Sequence, residues 1–421
     1  MNSRIVLFAM GLLLAGFVPA QAEEEIVPTG ESSVQYDMEN GVLPIADDRG
    51  FTLQSKDGNF VFKPYLYMNT SLILKYYDDE GLDKAYNQDN IANSGFDISY
   101  AILGFTGKAF GKIDYNLCVN AAASGDQILQ QAWIDYAASK KLRFRVGKFK
   151  TPFTHAYLTT LGETLFPIVP VSLTATSIMP YSLNAVTPTI GTGFDLGFKV
   201  HGLLTDKKGR EWGYEVGFFN GTGASENSAT KGFSDDNHLP ALLYAARFTL
   251  QPNGVMPMTQ GNAKMQFNKA KYLVGVSINY NNESESESTN DLRVGAEFAW
   301  LKGKWYVAAE AYLMHVSFTE RQKIDETYNY WGGYAQVGYF VHPQVQVGLR
   351  YDVMDRNGSS EDGLLNMPAA VVNYFIPKTN IKISAAYQYI GRWGHDTQLD
   401  RDLDDLGIAT HTAVVTMQYA F

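Results

Sequence analysis

Thr410-His-Thr-Ala-Val-Val-Thr-Met-Gln-Tyr-Ala-Phe421 is the last stretch of the 421-residue chain. Read as an extended strand, it puts Ala413, Val415, Met417, Tyr419 and Phe421 on one side, and Thr412, Thr416 and Gln418 on the other. Such a strand suits lipid on one face and water on the other. It also ends on an aromatic residue, as outer-membrane barrels do. A soluble sandwich strand has the same period of two, so the argument turns on recurrence and on what precedes this strand.

At the other end, Met1-Asn-Ser-Arg4 leads into an apolar run from Ile5 to Val18 and then Pro19-Ala20-Gln21-Ala22. A basic start, a short apolar core and a small-x-small site make residues 1–22 a signal peptide with cleavage expected after Ala22. The apolar run is shorter than the roughly 20 residues that a helical span needs. Past residue 22 no run of about 18 apolar residues occurs, yet apolar side chains make up 45% of the chain, with 26 Tyr, 24 Phe and 6 Trp. A barrel reconciles these facts, because a lipid-facing band needs an apolar residue only at every second position and aromatics collect at its rims. Cys118 is the one cysteine, which excludes an internal disulfide, a thiolate zinc cluster and a Cys-x-x-Cys-His haem site. A net charge of −10 argues against nucleic acid as a partner.

Residues 23–50 are acidic and weakly patterned, and are expected to form a periplasmic segment ahead of a barrel over 51–421. From about residue 60, sixteen alternating segments can be counted, near 60–76, 96–107, 113–122, 128–137, 142–149, 192–203, 211–220, 241–250, 271–281, 290–301, 305–316, 329–341, 345–353, 366–376, 381–390 and 410–421. Val345, Val347, Leu349 and Tyr351 oppose Gln344, Gln346, Arg350 and Asp352, for example. A charge facing lipid costs about 2–4 kcal/mol at the midplane, so the polar set must face the lumen. Short connections, such as Lys302-Gly-Lys304 and His342-Pro-Gln344, alternate with long ones at 150–191, 221–240, 353–365 and 391–409. The stretch 251–270 is long on the short side, where the count has room for one more hairpin.

Arg143-Phe-Arg-Val-Gly-Lys-Phe-Lys-Thr-Pro-Phe153 ends the fifth segment and opens the longest connection. Alternation points Arg143 and Arg145 into the lumen, with Lys148 and Lys150 at the strand's end. The connection that follows carries Leu158, Leu161, Leu165, Phe166, Ile168, Val169, Val171 and Leu173, too many apolar side chains to leave in water. It is expected to fold inward and narrow the barrel; the other possibility is a loop lying across the outer rim or a subunit interface. Alternation also sends Lys199, Arg247, Arg293, Arg350 and Lys382 inward, together with Asp97, Asp114, Asp135, Asp195, Glu215, Glu297, Glu310 and Asp352. Seven cations against eight carboxylates predict weak ion selectivity.

Val146-Gly-Lys-Phe-Lys-Thr-Pro-Phe153 resembles the signature of the phosphate-selective porin O and P family. Gly50-Phe-Thr-Leu-Gln-Ser-Lys-Asp-Gly-Asn-Phe60, Val216-Gly-Phe-Phe-Asn-Gly221 and Gly348-Leu-Arg-Tyr-Asp352 are similar to further pieces of that family, in its order, over about residues 49–421. The resemblance implies a sixteen-stranded barrel, often trimeric, with the third loop folded inward. Phosphate-selective members carry arginines on the second strand, where this chain reads Phe96-Asp-Ile-Ser-Tyr-Ala-Ile-Leu103 with none.

The expectation is therefore an outer-membrane porin for passive diffusion of small polar or ionic solutes. Outer-membrane lipid and lipopolysaccharide would surround it, it would form a homotrimer, and it would need no cofactor. The alternative is a barrel that sheathes or binds a partner protein such as an electron carrier. An enzyme is not expected, since no motif joins any of the seven histidines to a serine. Asp400, Asp402 and Asp404 have a calcium-loop spacing, but Asp405 and His411 stand where an EF-hand has Gly and an acid, so a solvated acidic loop is the simpler reading. Asn281-Asn-Glu-Ser-Glu-Ser-Glu-Ser-Thr289 reads as a low-complexity acidic loop.

Overall fold

The computed structural model describes residues 42–47, 50–78, 92–173, 194–221, 239–261, 267–282, 289–318, 327–355, 364–392 and 409–420. Its strands are β1 (Val42–Asp47), β2 (Gly50–Ser55), β3 (Val61–Asp78), β4 (Ala92–Ala109), β5 (Ile113–Asn120), β6 (Leu129–Ser139), β7 (Leu142–Lys150), β8 (Phe194–Thr205), β9 (Glu211–Phe219), β10 (Leu243–Gln251), β11 (Lys271–Asn281), β12 (Thr289–Lys302), β13 (Trp305–Phe318), β14 (Thr327–His342), β15 (Val345–Asp355), β16 (Leu364–Phe375), β17 (Ile381–Arg392) and β18 (Ala409–Ala420). From β3 onward each strand pairs antiparallel with the next. The ring closes where β18 returns to β3, from Ala409↔Asp78 to Ala420↔Tyr67. Closure is obligatory in lipid, because an open edge leaves backbone groups with no partner. The barrel thus has sixteen strands, β3–β18. The hairpin β1–β2 stands outside it, tied to the foot of β3 through Leu53↔Phe62 and Gln54↔Val61.

The sixteen segments read from alternation are the sixteen barrel strands, and the stretch 251–270 adds no strand among its described residues. Burial follows the pleat. On β15, Gln346, Arg350 and Asp352 are buried while Leu349 and Tyr351 are exposed. On β12, Arg293 and Glu297 are buried between exposed Leu292 and Phe298. Ile134, Val146, Val276 and Leu349 are each more than half exposed on the outside, as a lipid-facing band requires. Trp305 and Tyr339, with ring centroids 4.4 Å apart, mark one rim. Wall height varies. β5 has 8 residues, and β7 and β9 have 9, close to the roughly 9–11 that cross a bilayer. β3 and β4 have 18, and continue past that depth on the loop side.

Residues 151–173 leave β7 and turn into the barrel. Within them lie two one-turn helices, α1 (His155–Leu158) and α2 (Val171–Leu173), and a 3-10 turn at Leu161–Glu163. Leu165, Phe166 and Leu173 are at most 3% exposed. Leu165 lies beside Gly338 and Gly348, where an added Cβ would come within about 3.1 Å of it, so glycine makes the hollow that receives the side chain. The rest of this connection lies outside the described residues, as do Asp396 to Asp405, nearly all of the acidic stretch between β11 and β12, Phe421 and the expected signal peptide 1–22.

A second segment enters from the opposite end. The connection between β10 and β11 folds up into the lumen, where Met256, Thr259 and Gln260 are buried. Met256 joins Leu165 and Phe166 in one cluster with Leu273, Leu301 and Tyr306 of the wall. The length of 251–270 is explained by this excursion rather than by an extra hairpin.

Candidate functional site

The inner wall carries a chain of charges. Asp135 of β6 accepts from Arg143 at 2.9 Å, Arg145 at 2.8 Å and His201 at 2.8 Å. Arg143 also reaches Asp114. Farther round, Lys199 pairs with Glu215 at 2.5 Å, and Arg247 bridges Glu215 at 3.0 Å and Glu297 at 2.8 Å. Arg247 and Glu297 meet across β11 because Gly275 lies between their strands; a Cβ there would fall 2.3 Å from Glu297 Oε1.

Three wall carboxylates hold the infolded loop. The N–H groups of His155 and Ala156, in the first turn of α1, donate to Glu297 Oε2 at 2.5 Å and Glu310 Oε1 at 2.7 Å. The N–H of Val171, first in α2, donates to Asp352 Oδ2 at 2.6 Å. Each carboxylate meets orphan donors at a helix start, where fixed negative charge is favourable. Cations hold the loop by its carbonyls. Lys150 Nζ donates to Tyr157 O at 2.6 Å and Thr159 O at 3.2 Å, Lys382 Nζ to Thr164 O at 2.9 Å, and Arg350 to Ile168 O at 2.7 Å.

The segment from the opposite end braces this loop. Gln260 takes the N–H of Leu165 at 3.0 Å and gives its own N–H to Glu163 O at 2.8 Å, while Thr259 donates to Glu163 Oε2 at 2.6 Å. His155 Nε2 lies 3.2 Å from Pro257 O. Burial pushes the imidazole below its ordinary pKa, so the neutral ring donates there through Nε2–H.

Between the loop and the wall of β3–β8 remains a cavity of about 1150 Å³, reaching from the turns at Pro343 and Pro377 to Tyr100 and Phe194. Of the charged residues predicted to line the pore, Arg145, Lys150, Lys199 and Arg350 border this cavity. Arg143, Lys148, Arg247, Arg293, Glu297 and Glu310 are not among its lining residues. Lys148 is wholly buried, Arg247, Arg293, Glu297 and Glu310 are at most 6% exposed, and Arg143 sits over Asp114 and Asp135. Alternation gave the inward direction of the strand residues but not the covering by loop and brace. Asp97, also assigned inward, is exposed high on β4.

The lining includes residues that alternation did not single out. Among the described residues its charges are Lys63, Arg145, Lys150, Lys199, Arg350, Lys378 and Lys382 against the single carboxylate of Glu163. Lys63 was legible, two positions before Tyr65 on a clean strand. Glu163 and Gln260 were not, since nothing local marks which loop residues meet.

The family model for phosphate-selective porin O and P matches residues 75–421. Among solved structures, the outer membrane channel DcaP of Acinetobacter baumannii is similar at 13% identity and a TM-score of 0.48, covering 87% of this chain and 99% of its own. The trimer form of OmpT from Vibrio cholerae gives 11% identity and 0.47, covering 86% and 99%. The outer membrane protein opdK of Pseudomonas aeruginosa gives 8% and 0.41, covering 85% and 98%. A comparison with curated proteins gives no match. At such identities and scores, no solute preference transfers from these structures.

Proposed function

Because this chain belongs to the phosphate-selective porin O and P family, it is a porin, and we propose that it passes small anions through the gap between the infolded loop and the β3–β8 wall. The observation that carries the proposal is the uneven distribution of the lumen's charge. The carboxylates of Glu297, Glu310 and Asp352 are occupied by loop N–H groups, and those of Asp135 and Glu215 by wall cations. Seven cationic side chains and one carboxylate border the cavity among the described residues, and of the seven only Arg145 and Lys199 are paired with a wall acid, Asp135 and Glu215. Fixed charge of one sign beside a narrow path favours the opposite ion. The near-balance counted along the sequence gives way to a positive path, and weak selectivity to an anion preference. Whether phosphate is favoured among anions is a separate matter, since the second strand lacks the arginines of phosphate-selective members.

The loop 150–173 sets the conductance in this proposal, with Arg145 and Lys150 at its root. A barrel that sheathes another protein needs an open lumen, and here loop and brace occupy it. The mature chain is proposed to follow export through the signal peptide 1–22, to place residues 23–50 in the periplasm, and to sit as a homotrimer among outer-membrane lipid and lipopolysaccharide. Planar-bilayer recording tests the reading. In a KCl gradient the reversal potential should have the sign of anion selectivity, and trimming residues 160–172 should raise single-channel conductance severalfold. A cation-selective channel overturns the anion proposal; an unchanged conductance from a folded trimmed barrel overturns the role of the loop.

A further inference from the structure

The cavity's aromatic wall bears on which anions it accepts. β3 turns Tyr65 and Tyr67 inward on alternate residues, and β4 adds Tyr100, whose ring centroid lies 6.3 Å from that of Tyr67. The Tyr65 hydroxyl donates to Asn116 Oδ1 at 3.1 Å, which fixes that ring against the wall. The loop comes close to the same surface: a Cβ on Gly162 would stand 3.2 Å from Tyr67 Cε2. The Gly162 carbonyl in turn takes Lys382 Nζ at 3.3 Å. Rings and cations therefore stand side by side in one cavity. We propose that this cavity prefers aromatic monocarboxylates to inorganic oxyanions and to neutral sugars, an inference that rests on the anion reading above.

Three observations argue for that class. Of the seven cations, Lys150 and Lys382 are already engaged by two carbonyls each, and Arg145 by Asp135 with its guanidinium 3.8 Å over the Trp133 ring. These three supply field but few free N–H groups to replace the shell of a strongly hydrated oxyanion. A benzoate-like ion asks less, because its charge answers to the field while its ring leaves water for the tyrosine faces. The volume of about 1150 Å³ suits an organic solute and is far more than an inorganic anion fills. A neutral sugar brings many hydroxyl donors, and the carboxylate available to accept them, Glu163, already accepts from Thr259 at 2.6 Å.

The test uses the full barrel in a planar bilayer, with benzoate, acetate and inorganic phosphate each added to a KCl solution. Benzoate is expected to interrupt the current at a concentration about tenfold below that needed for acetate or phosphate. The pair Tyr65→Ala with Tyr100→Ala should bring the benzoate-to-acetate ratio close to one, and Tyr65→Phe with Tyr100→Phe should keep it. Heat-modifiability checks that each variant is folded. An anion-selective channel on which benzoate and acetate act alike, or which phosphate blocks at lower concentration than benzoate, overturns this inference alone. A cation-selective channel overturns it together with the anion reading. A ratio that survives the alanine pair overturns the assignment to these tyrosines.

Discussion

Arg143 and Arg145 stand two residues apart on one face of β7, yet they do different work. Arg143 is held between Asp114 and Asp135, whereas Arg145 reaches the cavity with its guanidinium on Trp133. Arg145→Gln, which removes the cavity charge without setting a carboxylate against its partner Asp135, should move the reversal potential toward cations. Arg143→Glu should act on stability instead, because it sets a third carboxylate beside Asp114 and the buried Asp135; temperature-dependent gel mobility would read the loss of heat resistance. An Arg143→Glu channel with the larger change in selectivity would contradict this division. Glu310 poses a sharper question. Its Oε1 takes the N–H of Ala156 at 2.7 Å and its Oε2 the Tyr312 hydroxyl at 2.5 Å. Removing the acceptor should cost about 1–3 kcal/mol of loop docking. Glu310→Ala should therefore show large conductance fluctuations, while Glu310→Gln, which keeps a carbonyl acceptor, should stay quiet. Equal noise in both would mean that charge, rather than the hydrogen bond, holds α1.

At the scale of elements, the loop after β7 and the connection after β10 form one plug entered from both ends of the barrel. Gln260 is the joint: it serves Leu165 and Glu163 of the loop, and its side-chain oxygen also takes Gln336 Nε2 of the wall at 3.1 Å. Gln260→Ala leaves the buried N–H of Leu165 and the Gln336 amide without that acceptor, so the loop should loosen although no residue of the loop has changed. The expected readout is a higher, noisier single-channel conductance with normal heat-modifiability. A quiet channel of unaltered conductance would show that the brace is incidental. The fluctuation belongs to the element rather than to the fold, because the closed sheet does not depend on its contents for backbone pairing.

For the whole molecule, stability and selectivity have separate sources. The barrel persists because every barrel strand has two neighbours, and the ring is closed by β18 on β3 over Ala409↔Asp78 to Ala420↔Tyr67. Deleting residues 409–421 should abolish the heat-modifiable, protease-resistant form, since both β17 and β3 would then face lipid with open edges. A truncated chain that still inserts and conducts would refute closure as the requirement. Selectivity comes instead from how the enclosed space is divided. Acids and bases are almost balanced over the inner wall, but the acids are covered or paired while seven bases border the cavity among the described residues, so in the proposed reading the current would sense a positive path through a lumen of mixed charge.

Alternation by itself determined the strands, their number and the direction of most wall side chains; Lys148 and Lys150, in step with the outward Leu142 and Val146, turn inward past Gly147 at φ 124°. Lipid outside and water inside impose a period of two that any stretch of ten residues displays, as Leu349, Arg350 and Tyr351 do. The apolar run from Leu158 to Leu173 likewise announced a loop that must be buried. What alternation did not reveal was which inward charges meet solvent. Glu297 and Arg145 carry the same local pattern, yet one ends beneath α1 and the other on the cavity. That outcome, like the entry of Met256 and Gln260 from the opposite end, depends on contacts between residues about a hundred or more positions apart. Only the closed barrel brings them together, because pairing geometry is local and the filling of a lumen is not.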